Sequence, residues 1–346
     1  MINGDLCHDV LLESTSQRLG YNKNVYFDTW RTEIREKFIE LTGLKKIEQN
    51  ACPLQVHIES EEVKPDYKQI RFTFESEYGA VVPCYLLIPN TKKEKYPVAI
   101  TLQGHSTGFH NSIGEPKYEN DKKGYPRTAF AVQAVQNGCV ALAIEQRGMG
   151  ERRSWRSYGK DNVYRDRAHM CFIPALRAIS IGRTIIGERI WDVSRAIDAL
   201  KEFSVCDLDK ILITGNSGGG TISYYAACYD ERIQLSVPSC SFCSYKQSIL
   251  DIEHCACNYI PDVYNWFEMQ DLACLLAPRS LAVITGQVDP IFPIDGVRKA
   301  FETVKDIYEH VRAKDCCRIV ETPNAHFWSA DIVWQTIREE MMRLGW

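Results

Sequence analysis

The chain has 346 residues, 45% hydrophobic and 25% charged, with a formal net charge of −4. That balance is typical of a globular protein with room for a sizeable core, and it gives no reason to expect binding to nucleic acid or an anionic membrane. No apolar run is long enough to span a bilayer, and the N-terminal stretch MINGDLCHDVLLESTSQRLG has no basic segment leading into an apolar one, so a secretory signal is not expected and a cytoplasmic location is.

In chain order, FDTWRTEIREKFIELTG predicts a helix: Asp28 can cap it, Trp30, Ile34, Phe38 and Leu41 share a face, and Gly43 stops it. Residues 1–50 therefore read as an N-terminal helical extension. LQVHI, IRFTF and AVVPCYLLIP follow, rich in β-branched and aromatic residues and broken by polar turns, which suggests an antiparallel start to a sheet. From residue 97 the pattern changes to continuous apolar runs, PVAITLQG, CVALAIE, KILITG, IQLSVPS, SLAVITG and CRIVET. Helical stretches lie among them, including RTAFAVQAVQNG, IIGERIWDVSRAIDALKEF, GGGTISYYAACY and DGVRKAFETVKDIYEHV, and a last helix starts near Ala330. Buried strands alternating with amphipathic helices mean an α/β fold with a mostly parallel, doubly wound sheet. Residues 51–346 form one expected catalytic domain, with an irregular basic insertion at about 151–180.

The 14 cysteines, in a large chain without a signal, read as reduced thiols, many of them small core residues such as Cys84 and Cys139. Cys240, Cys243, Cys255 and Cys257 form C-x2-C followed by C-x-C. Structural zinc favours two C-x2-4-C knuckles, so these thiols are expected to be structural or to line a pocket, and no metal is expected.

Gly215-Asn216-Ser217-Gly218-Gly219 fits Gly-x-Ser-x-Gly and sits between a predicted strand and a predicted helix. That context is what a nucleophile elbow needs: the turn is sharp, so the residues two before and two after the serine must be small. A serine hydroxyl needs a base near neutral pH, and the base needs an acid to orient it. Asp289 follows strand LAVITG and His326 follows strand CRIVET, so Ser217, Asp289 and His326 all reach the carboxyl edge of the sheet although 72 and 37 residues separate them. Glu321 and Asp315 are alternative acids. The backbone N–H of Gly218, at a helix start, and that of His105, in the loop after the first buried parallel strand, are the expected oxyanion donors.

These segments resemble an α/β-hydrolase of the acetyl-xylan-esterase and dienelactone-hydrolase-like carbohydrate esterase group. GNSGGG, GQVDPIFP and NAHF match its nucleophile, acid and histidine segments, and LQGH stands at its oxyanion loop. EQRGMGE resembles the Arg-Gly-x-Gly turn after a central strand, with Glu145 where many relatives have Asp. The resemblance implies serine-dependent hydrolysis of carboxylic esters without a cofactor. Ser217 would attack the carbonyl, His326 would relay the proton, and Asp289 would hold the histidine. The expected partner is a small-molecule ester, such as an acetylated sugar. Neither nucleic acid nor membrane is expected, and the sequence is compatible with a homo-oligomer without specifying one.

Tyr259, Trp266, Phe267 and Trp328 are candidate substrate-binding aromatics, and Trp155, Tyr158 and Tyr164 mark a candidate lid in the basic insertion. Two other function classes share the fold: a serine peptidase of prolyl-oligopeptidase type, which usually carries a large gating domain, and a non-catalytic binding protein.

Overall fold

Nine strands form one sheet, in the order β1-β2-β3-β5-β4-β6-β7-β8-β9. The computed structural model describes residues 4–154 and 171–346, so Trp155, Tyr158 and Tyr164 lie outside the described residues. The strands are β1 (His57–Val63), β2 (Tyr67–Glu75), β3 (Val81–Pro89), β4 (Tyr96–Leu102), β5 (Val140–Ile144), β6 (Cys206–Asn216), β7 (Ile233–Ser239), β8 (Ser280–Gly286) and β9 (Cys317–Thr322). β1, β2, β3 and β5 pair antiparallel in turn. β5, β4, β6, β7, β8 and β9 then run parallel. The mostly parallel sheet with an antiparallel start is the architecture expected.

Alternation along the central strands divides the core in two, because successive side chains leave a strand on opposite faces. Val98, Ile100, Ile211, Ile213, Leu281 and Val283 belong to one cluster, and Ala99, Leu212, Ala282 and Ile284 to the other. The first face is covered by helices Ile185–Ala199, Gly218–Tyr229 and Ile294–His310. Trp30, Ile34 and Phe38 of helix Phe27–Thr42 join that same cluster, the apolar stripe that its sequence spacing predicts. Helices Phe130–Gln136 and Ala330–Arg343 cover the second face, with Val333, Trp334 and Ile337 facing inward. The small residues Ala99, Ala141 and Ala143 on this face let a short helix approach closely.

One strand differs from expectation. β1 begins three residues later than the run LQVHI suggests, and all seven of its residues are exposed. Leu54 and Val56 instead pack against the core ahead of it. The pairing of β1 with β2 is interrupted by a bulge between Ile58 and Ser60. No helix among the described residues is long and apolar enough to cross a membrane.

Candidate active site

β6 ends at Asn216 and helix Gly218–Tyr229 begins two residues later, which leaves Ser217 alone to turn the chain. It does so at φ 54° and ψ −124°, a region that side-chain-bearing residues rarely occupy. The turn is made possible by its neighbours. A Cβ on Gly219 would lie 2.0 Å from the Leu102 carbonyl oxygen, and one on Gly215 would lie 2.3 Å from the same atom. The strain projects the Ser217 side chain out of the sheet edge, with its backbone N–H held by the Ser239 carbonyl at 2.9 Å.

The loops after β8 and β9 bring two further groups to it. His326 Nε2 lies 2.9 Å from Ser217 Oγ, and His326 Nδ1 lies 2.8 Å from Asp289 Oδ2. A carboxylate only accepts, so Nδ1 carries the ring proton and Nε2 is free to accept from the serine hydroxyl. The Asp289 side chain is wholly buried. Its other oxygen, Oδ1, accepts from the backbone N–H of Ile291 at 2.8 Å and of Phe292 at 3.1 Å. The Phe292 ring stacks on His326 with 5.8 Å between centroids. The alternative acids are elsewhere: Glu321 is paired with Arg298 at 2.7 Å, and Asp315 is exposed in the turn before β9, at the opposite end of the strand.

The loop after β4 lies directly over Ser217. A Cβ on Gly104 would stand 2.8 Å from the Asn216 carbonyl oxygen and 3.1 Å from Ser217 Cβ. Among the described residues, neither the His105 N–H nor the Gly218 N–H has a protein acceptor. A buried cluster braces this loop: His110 Nε2 lies 3.0 Å from Asp121 Oδ2, and the Thr107 hydroxyl donates to Asp121 Oδ1 at 2.6 Å. Burial holds the His110 imidazole below its usual range.

The turn after β5 supports the loop from beneath. Glu145 accepts from the Phe109 N–H at 3.3 Å, from Gln103 Nε2 at 3.0 Å and from the Glu151 N–H at 3.2 Å. Burial pushes its carboxyl up to about 8, against the pull of the two backbone N–H groups. Gly150 is required there, because a Cβ would fall 2.0 Å from Glu145 Oε2. Arg147 and Arg152 of the same turn converge on buried Asp192, at 2.9 and 2.6 Å. Arg147 also reaches Glu77 at 2.8 Å, and Arg183 bridges Glu77 and Glu188. Within EQRGMGE, Arg147 thus anchors the turn on Glu77 and Asp192, and Gly150 leaves room for the Glu145 carboxyl.

A cavity of about 670 Å³ opens above Ser217, walled by Gln103, His105, Arg127, His326 and Trp328 among others. Trp328 lines it, its ring tilted against Phe130 with 4.3 Å between centroids and its indole N–H donating to Gln133 at 2.9 Å. The other three aromatics do not. Phe267 is fully buried in the main core, in the same cluster as Val263 and Met269. Trp266 faces the N-terminal segment, with Lys37 Nζ 3.8 Å and Arg18 Cζ 4.8 Å from its ring. Tyr259 is a surface residue outside the cavity wall.

The four cysteines grouped by sequence also separate. Cys240 sits beside Asp289 and His326, near the Phe327 carbonyl at 3.7 Å, and Cys243 near the Pro293 carbonyl. Cys255 and Cys257 instead meet Cys171 and His105. That grouping escaped the sequence reading because its members are scattered over 153 positions, from 105 to 257.

Comparisons with known proteins agree with this architecture. A Bacillus subtilis protein, YtaP, a hydrolase by name, is 26% identical over 260 residues, covering 74% of this chain and 81% of its own. A Bacteroides fragilis structure named as an acetyl xylan esterase superposes with a TM-score of 0.81 at 16% identity, covering 99% of this chain and 95% of that one. Acetyl xylan esterase 1 of Thermoanaerobacterium superposes with a TM-score of 0.61 at 17% identity, covering 95% and 98%. The profile of the Abhydrolase family matches residues 9–226, which is more than half of the chain. The protein therefore belongs to the Abhydrolase family and has the α/β-hydrolase fold.

Proposed function

We propose that the protein is a serine esterase that hydrolyses short-acyl esters, acetyl esters of carbohydrates or similar small molecules above all. The observation that carries this reading is the hydrogen-bonded row Ser217–His326–Asp289 at the floor of an open cavity. Ser217 Oγ attacks the ester carbonyl as His326 Nε2 takes its proton. The N–H groups of Gly218 and His105 receive the developing oxyanion. His326 then protonates the leaving alcohol, and water, deprotonated by the same nitrogen, releases the acid from the acyl-enzyme. Asp289 holds the histidine tautomer and offsets its positive charge.

Three features support the substrate class. Trp328, buried and held by Gln133, limits the space beside the nucleophile. A volume of about 670 Å³ suits a sugar-sized alcohol, within the range usual for small-ligand sites. The two solved relatives named above as acetyl xylan esterases carry the same fold. In this reading residues 51–346 are the catalytic domain and residues 1–50 an extension packed on it. The test is a series of nitrophenyl esters from acetyl to octanoyl, beside peptide anilides, with wild type and Ser217→Ala. The reading requires turnover that falls steeply beyond acetyl and disappears in the variant. Peptide cleavage without ester turnover would favour a peptidase, and failure of folded wild type to act on either or to take a fluorophosphonate label would favour a binding protein.

A further inference from the structure

Four soft ligands from three separate segments meet beside the nucleophile. His105 follows β4, Cys171 precedes helix Phe172–Ser180, and Cys255 and Cys257 lie at the turn Ala256–Asn258. One ligand atom from each lies within 4.8 Å of all the others. His105 Nε2 stands 3.2 Å from Cys257 Sγ. Donors on a tetrahedral ion with bonds of about 2.0–2.3 Å stand roughly 3.3–3.8 Å apart, so small side-chain rotations would close the set.

An independent observation concerns charge. Arg189 is 3% exposed. Its guanidinium donates to the Arg147 carbonyl at 3.0 and 2.6 Å and to Cys171 Sγ at 3.1 Å. No carboxylate among the described residues pairs with it. A buried cation needs an anionic counterpart, and here the cysteine cluster stands where a carboxylate would be. A divalent ion bound by three thiolates and one neutral imidazole carries a net charge of −1, which Arg189 balances.

We propose that His105, Cys171, Cys255 and Cys257 form a structural site for one soft divalent cation, zinc above all, which fastens the loop over Ser217 to two segments at the cavity rim. Three sulfurs and one nitrogen suit zinc, and four protein ligands leave no position for water, so the ion has no Lewis-acid role. Binding forms three metal–sulfur bonds and one metal–nitrogen bond. The thiol protons pass to solvent, and nothing is oxidised or reduced. The His105 ring also rests on the elbow: a Cβ on Gly218 would lie 3.2 Å from His105 Cε1. Its side chain thus ties the ion to the backbone that faces Ser217.

The test is metal content, which does not depend on ester turnover and so stands or falls apart from the esterase reading. The full chain, purified without chelator under reducing conditions, is analysed for zinc. The metal-free protein is then titrated with zinc against a chromophoric chelator and, separately, with cobalt(II). The expected result is about one equivalent per chain, falling below about a tenth in Cys171→Ser and Cys257→Ser and unchanged in Cys316→Ser. The cobalt form should show thiolate-to-metal charge transfer and the strong visible bands of a tetrahedral site. Folded, fully reduced wild type that neither retains zinc nor takes it up at stoichiometry would overturn the proposal. A cobalt spectrum without thiolate bands would do the same, as would freshly isolated protein in which these cysteines form a disulfide. Wild-type titration needs no variant, so misfolding of a serine variant does not shield the proposal.

Discussion

Asp289→Asn is the substitution that most directly probes how the proposed site works. The carboxylate has two distinct tasks: Oδ1 accepts from the N–H groups of Ile291 and Phe292, and Oδ2 accepts from His326 Nδ1. An asparagine has one acceptor and one donor end. The two backbone N–H groups hold its oxygen at the Oδ1 position, so its NH2 must face the histidine. Nδ1 can then only accept, the ring proton moves to Nε2, and Nε2 can no longer take the proton of Ser217. The geometry is retained and the tautomer is wrong. In serine hydrolases that defect is worth about 10⁴ in kcat, or about 5 kcal/mol of transition-state stabilisation. The assay is kcat/KM on nitrophenyl acetate, with thermal unfolding and circular dichroism confirming that the variant is folded. A folded Asp289→Asn enzyme within about tenfold of wild type would refute the assignment of Asp289 as the orienting acid.

The remaining predictions concern the scaffold around that row. Gly219→Ala places a methyl 2.0 Å from a strand carbonyl that cannot retreat, so the variant should be recovered as insoluble protein or with at least about 3 kcal/mol of lost stability by urea unfolding. Asp192→Asn leaves Arg147 and Arg152 facing a neutral amide and should cost about 3–5 kcal/mol. The two arginines hold the Asp192 carboxyl well below the usual range, so its contribution is present above the ordinary carboxylate pKa and lost only as pH falls below it. Glu145 has the opposite sign. Its folded pKa is raised to about 8, so the folded state keeps a proton that the unfolded chain releases near pH 4.3, and stability should fall as pH rises across that window, by up to about 1.4 kcal/mol per unit. Urea melts from pH 5 to 8 should show this slope flattened in Glu145→Gln, and parallel slopes for the two proteins would count against the buried-acid account.

The parts of the fold that are legible in the sequence are those in which local pattern and burial agree. Runs such as KILITG and SLAVITG are buried on both faces, so their apolar continuity alone marks them as inner strands. Because the loops after parallel strands share one edge, chain order suffices to bring Ser217, Asp289 and His326 into the same neighbourhood. The start of β1 is not legible because no face of it is buried, and alternation carries no signal where both sides meet water. Trp266 and Phe267 look like pocket walls in an aromatic loop, yet which way such a loop folds depends on distant partners such as Lys37. The meeting of His105 with three cysteines is equally non-local. The sequence placed Cys240 and Cys243 close to Cys255, and the fold carried them to different places.

The exposed edge of β1 has a consequence for assembly. A free strand edge offers unpaired N–H and C=O groups on which a second chain can add a strand, the first step toward edge-to-edge dimers and fibrils. Here that edge belongs to a segment reading HIESEEV, with Glu59, Glu61 and Glu62 in seven residues and a bulge that breaks its regularity. Glu59 and Glu61 are already engaged by Arg71 and Lys68 of β2 within the same molecule. A second copy laid alongside would bring these like-charged side chains together. The composition of this strand therefore opposes growth of the sheet at the β1 end.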